Sequence, residues 1–173
     1  MAYTPDQPVF ERHLECFDAY LAHTDEKIVT LNAVVEGIRE RAPNVWAHMQ
    51  DSSRLFTALY VGVGSGGGLE IPLTGKIIDM RGGVSGLQVH CVDASTQMRD
   101  QFMDRLSAPH GQDLSQPVTP ELITEYECRR FEEEGYRPPA ADLALASHSW
   151  YFIPEWKDQP PATNTLKKFA DTV

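Results

Sequence analysis

The stretch "ALYVGVGSGGGLEIPL", from Ala58 to Leu73, sets Gly62, Gly64, Gly66, Gly67 and Gly68 directly behind a short apolar run. Glycine carries no Cβ, so a ligand or a packed backbone can come very close at each of these positions. The preceding "LFTALYVGVG" is short and rich in β-formers, which predicts a buried parallel strand running straight into the glycines. "LEIPLTGKIIDM" then predicts a helix of modest length, with Pro72 near its start, where proline is tolerated. A strand that turns on glycine into a helix is the signature of an α/β chain.

The rest of the chain extends that order. "RGGVSG" is a turn, "LQVHCVDAS" a second strand, and Ser95 caps a helix over "TQMRDQFMDRL", with Met98, Phe102 and Leu106 at helical spacing. Strand, helix, strand, helix implies parallel pairing with right-handed crossovers. Upstream, Phe10, Leu14, Phe17 and Leu21 form one helical stripe. Thr24 caps a second helix whose buried side is Ile28, Leu31, Val34, Val35 and Ile38, ending before Pro43. Residues 44–54 show no regular period. "SAPHGQDLSQPVTPE" reads as a loop, and "LITEYECRRFEEEGYRPPA" as either a helix from the Thr119/Pro120 cap or an irregular segment ending in a third strand. "ADLALASHSWYFI" is a further buried strand through Leu143 and Leu145, with polar and aromatic residues at its C-terminal end, the end at which open α/β sheets bind ligands.

At 173 residues and 42% hydrophobic content the chain has the size and apolar content of one domain, residues 1–173, with a helical cap over about 8–42. A formal charge of −10 argues against nucleic acid, whose phosphates need an excess of Lys and Arg. No long apolar run or basic-then-apolar leader is present, so no membrane partner and a soluble, cytoplasmic location are expected. Cys16, Cys91 and Cys128 are widely spaced and form no CxxC, so they read as reduced thiols, with no metal site.

Gly62, Gly64 and Gly67 match GxGxxG, a weak signal by itself and equally a tight turn needing positive φ. Asp93 strengthens it: it follows the second strand about thirty residues on, where a carboxylate accepts ribose hydroxyls, although a turn or helix cap in "DAS" is the alternative. Glu70 bears on which nucleotide is held. A dinucleotide sets its pyrophosphate on the helix N-terminus, and an acid just inside that helix opposes it. S-adenosylmethionine has no phosphate and carries a cationic ammonium and sulfonium, which a carboxylate favours. A surface acid attracted by the helix dipole is the alternative reading of Glu70.

With these residues in view, "LYVGVGSGGGLEIPL", "VHCVDASTQM" and "DLALASHSWYFI" resemble the first, second and fourth strand motifs of class I S-adenosylmethionine-dependent methyltransferases. "FDAYLAHTDEKIVTLNAVV" is similar to the segment that precedes the first strand in the histamine N-methyltransferase family. The resemblance runs from about Phe17 to Trp156. It implies a Rossmann-like sheet with helices on both faces and S-adenosyl-L-methionine as cofactor. It also implies that Gly62, Gly64 and Gly66 line the methionine part of the donor, that Asp93 holds the ribose, and that Glu70 and Ser147 complete the donor site. Glu26 matches the family's amine-binding glutamate and equally suits the first turn of any helix. His148 stands where the family has glutamine, and could accept a proton from the acceptor. Trp150 and Tyr151 would form an aromatic wall for a cationic amine, or simply pack in the core.

Measured against that family the chain lacks the C-terminal strands, which suggests a truncated domain or one completed by a second copy or partner chain. The expected function is N-methylation of a small-molecule amine, with catalytic Glu26 and His148. The alternatives are a non-catalytic methyltransferase-like association module and, behind it, a nicotinamide-dependent oxidoreductase.

Overall fold

A computed structural model describes residues 26–66, 68–107, 117–146 and 168–173, with the backbone alone at 26 and 27. The first element among the described residues is α1 (Glu26–Arg41), followed by α2 (Pro43–Gln50), β1 (Phe56–Val61), α3 (Glu70–Arg81), β2 (Leu87–Asp93) and α4 (Thr96–Ser107). A 3-10 turn at Pro120–Leu122 leads into β3 (Ile123–Cys128), then β4 (Leu143–Ala146), and 168–170 are helical. The expected stripe of Phe10 to Leu21, and Thr24, lie outside the described residues.

The strands form one sheet in the order β3-β2-β1-β4, every neighbouring pair parallel. This is the start of the doubly wound order, in which the chain leaves β1 to one side for β2 and β3 and returns to its other side for β4. The fold is therefore α/β and Rossmann-like, as the strand-helix alternation implied. The order reverses between β1 and β4, the place at which open α/β sheets bind ligands, and the glycine turn begins at the C-terminal end of β1.

All six residues of β1 are buried, as befits the inner strand of a sheet covered on both faces. Its alternate residues Phe56, Ala58 and Tyr60 pack with Val89, Cys91, Leu73, Ile77, Phe102 and Leu106 under the helices. Leu59 and Val61 face the other way and meet Val92, Phe131 and Tyr136, with Phe169 of the helical residues 168–170 against them. In α1, Leu31 is buried and Val34, Val35 and Ile38 are partly so, but Ile28 is 64% exposed and does not join the buried side.

Two segments differ from their sequence reading for physical reasons. Residues 43–50 form a helix although no period is visible, because eight residues make barely two turns and Met49 alone is fully buried. Pro43 occupies the first turn, where its missing N–H costs nothing. In "LITEYECRRFEEEGYRPPA" neither expected arrangement forms as stated: the third strand opens the segment, at Ile123–Cys128, instead of ending it. Pairing with β2 satisfies its backbone, and Tyr126 packs on Phe102 at 5.5 Å between ring centroids. At the opposite end of the sheet from the glycines, Asp142 Oδ2 accepts the Thr57 N–H at 2.8 Å while Oδ1 lies 3.1 Å from His48 Nδ1, fastening α2 to the sheet.

Candidate functional site at the glycine turn

The turn after β1 is built from left-handed backbone. Gly62, Gly64 and Gly66 have φ of 67°, 56° and 68°, a region that penalises a Cβ. Gly62 N–H donates to Val92 O at 2.8 Å, so the turn stays joined to β2 as it leaves the sheet. Gly66 N–H then donates to Val63 O at 3.0 Å, and Ile71 N–H to Gly66 O at 3.2 Å, closing the turn onto the start of α3.

The glycines are not equivalent. A Cβ at Gly66 would stand 2.1 Å from the Phe102 ring, so that glycine is demanded by packing against α4. At Gly64 a Cβ would meet nothing within 4 Å among the described residues. The positive φ expected of a plain tight turn is thus present, and at Gly64 no described residue crowds it. Gly67, the third glycine of GxGxxG, lies outside the described residues.

Asp93 ends β2 and reaches across to the turn. Its Oδ2 accepts the Gly64 N–H at 2.9 Å and its Oδ1 the Ser95 N–H at 2.8 Å. One carboxylate therefore ties the loop after β1 to the loop after β2. Burial pushes its pKa above the usual aspartate range, while the two backbone bonds pull the other way. A carboxylate offers about four acceptor positions, so two backbone donors leave capacity for two more. The turn alternative for Asp93 is formed, since its bond from Ser95 N–H closes a local side-chain turn, and the expected Ser95 cap is formed too, its Oγ accepting the Met98 N–H at 3.2 Å at the start of α4; Asp93 Oδ2 spans in addition to the loop after β1.

Glu70 is only 3% exposed, so the surface-acid alternative does not hold. It opens α3, where the helix dipole favours a negative charge, and its Oε2 lies 3.3 Å from Leu69 N. Its carbonyl accepts the Thr74 hydroxyl at 2.8 Å, and Thr74 Oγ1 is 2.9 Å from Tyr60 Oη. A buried polar row thus runs beneath the turn across three strands, since Tyr60 is in register with Cys91 and Cys91 with Tyr126. Burial holds the Tyr60 and Tyr126 phenols and the Cys91 thiol well above their ordinary pKa values, and Glu70 adds to each shift.

The structure brings Gly62, Gly64, Gly66, Glu70 and Asp93 to one end of the sheet. Glu26 opens α1, and nothing is described of its side chain; Ser147, His148, Trp150 and Tyr151 follow β4 outside the described residues. Sequence reasoning missed Phe102 as the partner of Gly66 and Tyr126 as part of the buried row. Phe102 was visible only as a core residue of α4, and Tyr126 could be placed only once β3 was known to pair with β2. Among the described residues no group of His, Cys, Asp and Glu is arranged to hold a metal, and no helix is long and apolar enough to cross a membrane.

No protein-family model matches the chain, and no curated protein sequence does. Among solved structures it is similar to a provisionally assigned S-adenosyl-L-methionine-dependent methyltransferase from Methanococcus maripaludis, with 13% identity, a TM-score of 0.42, and coverage of 80% of this chain and 57% of that one. It is also similar to an S-adenosylmethionine-dependent methyltransferase from Clostridium acetobutylicum, with 16% identity, a TM-score of 0.47, and coverage of 91% of this chain and 52% of that one. The chain spans little more than half the length of either protein.

Proposed function

We propose that the chain is the donor-binding core of an S-adenosylmethionine-dependent methyltransferase acting on a small-molecule amine. The observation that carries this reading is the Asp93 bridge: the acid at the end of β2 holds the Gly64 amide at 2.9 Å, and no described residue lies within 4 Å of where a Gly64 Cβ would stand. Asp93 keeps acceptor capacity for two ribose hydroxyls without releasing either backbone amide. Glu70 weighs against a dinucleotide. A buried acid in the first turn of α3 opposes a pyrophosphate there and favours a cationic ligand.

The donor supplies an activated methyl group, and transfer to an amine is a direct displacement. The chain's task is then to align donor and acceptor rather than to provide a strong base. Gly62 and Gly64 would line the donor, with Gly66 shaping the turn through Phe102. On the acceptor side, Glu26 would pair with the amine, Trp150 and Tyr151 would flank it, Ser147 would support the donor, and His148 would take the released proton.

Calorimetry with S-adenosylmethionine, S-adenosylhomocysteine and NAD tests the donor half. The first two are expected to bind and NAD is not, and Asp93→Asn should weaken both by at least about tenfold, the equivalent of one charge-assisted hydrogen bond. Binding of NAD alone would overturn the reading. Transfer of a radiolabelled methyl group onto an amine then tests the acceptor half.

A further inference from the structure

On the face of the sheet away from α1 to α4, the connection between β3 and β4 meets Phe169 of the segment 168–173. The connection is held in shape by bonds of its own. Glu133 N–H donates to Arg130 O and Tyr136 N–H to Glu133 O, both at 3.2 Å, and the Tyr136 hydroxyl donates to Glu127 Oε1 at 2.7 Å. The Arg129 guanidinium stands 4.8 Å over the Tyr136 ring, 3.5 Å from Glu127 Oε2 and 3.6 Å from Glu133 Oε1. None of these contacts involves residues 168–173, so the loop is shaped before that segment docks.

Into the loop reaches the ammonium of Lys168. Its Nζ donates to Phe131 O at 2.5 Å and to Glu133 O at 3.2 Å, and lies 5.1 and 4.8 Å from the centroids of the Phe131 and Tyr136 rings. Carbonyl acceptors set beside aromatic faces are the groups that recognise an organic ammonium ion. Both rings are buried, which strengthens the attraction of the cation to their faces. Burial, and next Arg137, draw the Lys168 pKa below the ordinary lysine value, while Arg129 opposes the charge and Glu132 and Glu133 favour it. With neighbouring charges of both signs, the seat selects by hydrogen bonds and ring faces.

Lys168 carries its segment with it. Phe169 packs edge-on against Phe131 at 6.0 Å between centroids, and Thr172, whose hydroxyl donates to Lys168 O at 2.8 Å, accepts the Ala141 N–H on its carbonyl at 2.8 Å. We propose that the loop 131–136 is a binding site for a primary alkylammonium group, filled by Lys168 as a tethered occupant, so that residues 168–173 form a strap which a free alkylamine displaces. The seat lies on the face of the sheet opposite the one on which α1 packs, and it stands or falls apart from the S-adenosyl reading.

Lys168→Ala vacates the seat and leaves the loop's own bonds in place. Butylammonium should bind this variant with a Kd of about 1–10 mM, as suits a ligand of about five heavy atoms, and should move the NMR signals of the Phe131 and Tyr136 rings. Tetramethylammonium reaches ring faces but has no N–H for the carbonyls, and should bind at least about threefold more weakly, a fraction of one hydrogen bond. Butanol, which lacks the charge, should leave both rings unmoved. Absence of butylammonium binding, or an equal response to butanol, would overturn the site. Wild type gives a second measurement that needs no substitution and decides alone if the variant does not fold. Butylammonium at about 100 mM exceeds the millimolar effective concentration of a tethered side chain, so it should speed hydrogen exchange at the Ala141 amide at least about threefold. The Leu73 amide, bonded to Leu69 O inside α3, serves as the control and should keep its rate. An Ala141 rate that stays fixed, or one that rises only in step with Leu73, would overturn the strap.

Discussion

Gly66 and Gly68 stand two positions apart in the same turn and face different surroundings. At Gly66 both the left-handed backbone and the Phe102 ring exclude a side chain, whereas Gly68 has neither constraint. We expect Gly66→Ala to cost about 2–4 kcal/mol, the range for overpacking added to backbone strain. Gly68→Ala should stay within about 0.5 kcal/mol. Urea denaturation of the two variants checks this, and equal effects would show that the turn does not press on Phe102. The glycines were legible in the sequence as a group, but their separate reasons were not. Nothing in "GVGSGGG" reveals that the ring of a residue some 35 positions later closes over one of them.

At the scale of elements, Arg81 joins what the helices leave open. It is 5% exposed at the last turn of α3, and its guanidinium donates to the carbonyls of Arg54 at 2.6 Å and Ser85 at 3.0 Å, with longer bonds to His48 and Met49. One side chain thus satisfies the end of α2, the entry to β1 and the entry to β2. Arg81→Met should cost about 2–4 kcal/mol, since the hydrocarbon is replaced but several carbonyls lose their donors. Thermal or urea unfolding measures it, and a change under about 1 kcal/mol would show that water takes the place of the guanidinium. Helices α1 and α4 followed from spacing and caps because each is long enough to show a period, and α3 from Pro72 placed near its start. The shorter α2 was not legible, since its helical state depends on packing at Met49 and on the contact of His48 with Phe56 and Asp142. Likewise β3 became a strand by pairing with β2, a long-range event that local pattern does not encode.

For the whole molecule, the buried row of Tyr60, Cys91 and Tyr126 links stability to alkaline pH. In the unfolded chain a thiol ionises near 9.0 and a phenol near 10.0, while burial keeps all three protonated in the fold. Their folded pKa values are raised, so their stabilisation is complete below the unfolded values and is lost as pH climbs toward the folded ones. Cys91 should act first. Between pH 9.0 and 10.0, wild type should lose about 1 kcal/mol more per pH unit than Cys91→Ala, the slope for one proton. Urea midpoints across that interval measure the difference, and parallel slopes would mean that the thiol ionises freely in the fold.

The sequence by itself determined the α/β class, the buried strand β1 and the glycine turn, and singled out Asp93 after the second strand. Those features are written locally, in runs of apolar residues, in helix periods and in glycines that no Cβ may replace. Tertiary structure alone decided that Glu70 is buried, that the Phe102 ring packs where a Cβ of Gly66 would stand, that Asp93 bonds the Gly64 amide, and that Tyr126 Oη is buried with no hydrogen-bond partner among the described residues. Each of these depends on which residues meet across the sheet and its helices, and burial and pairing are set by those distant neighbours rather than by the residues alongside.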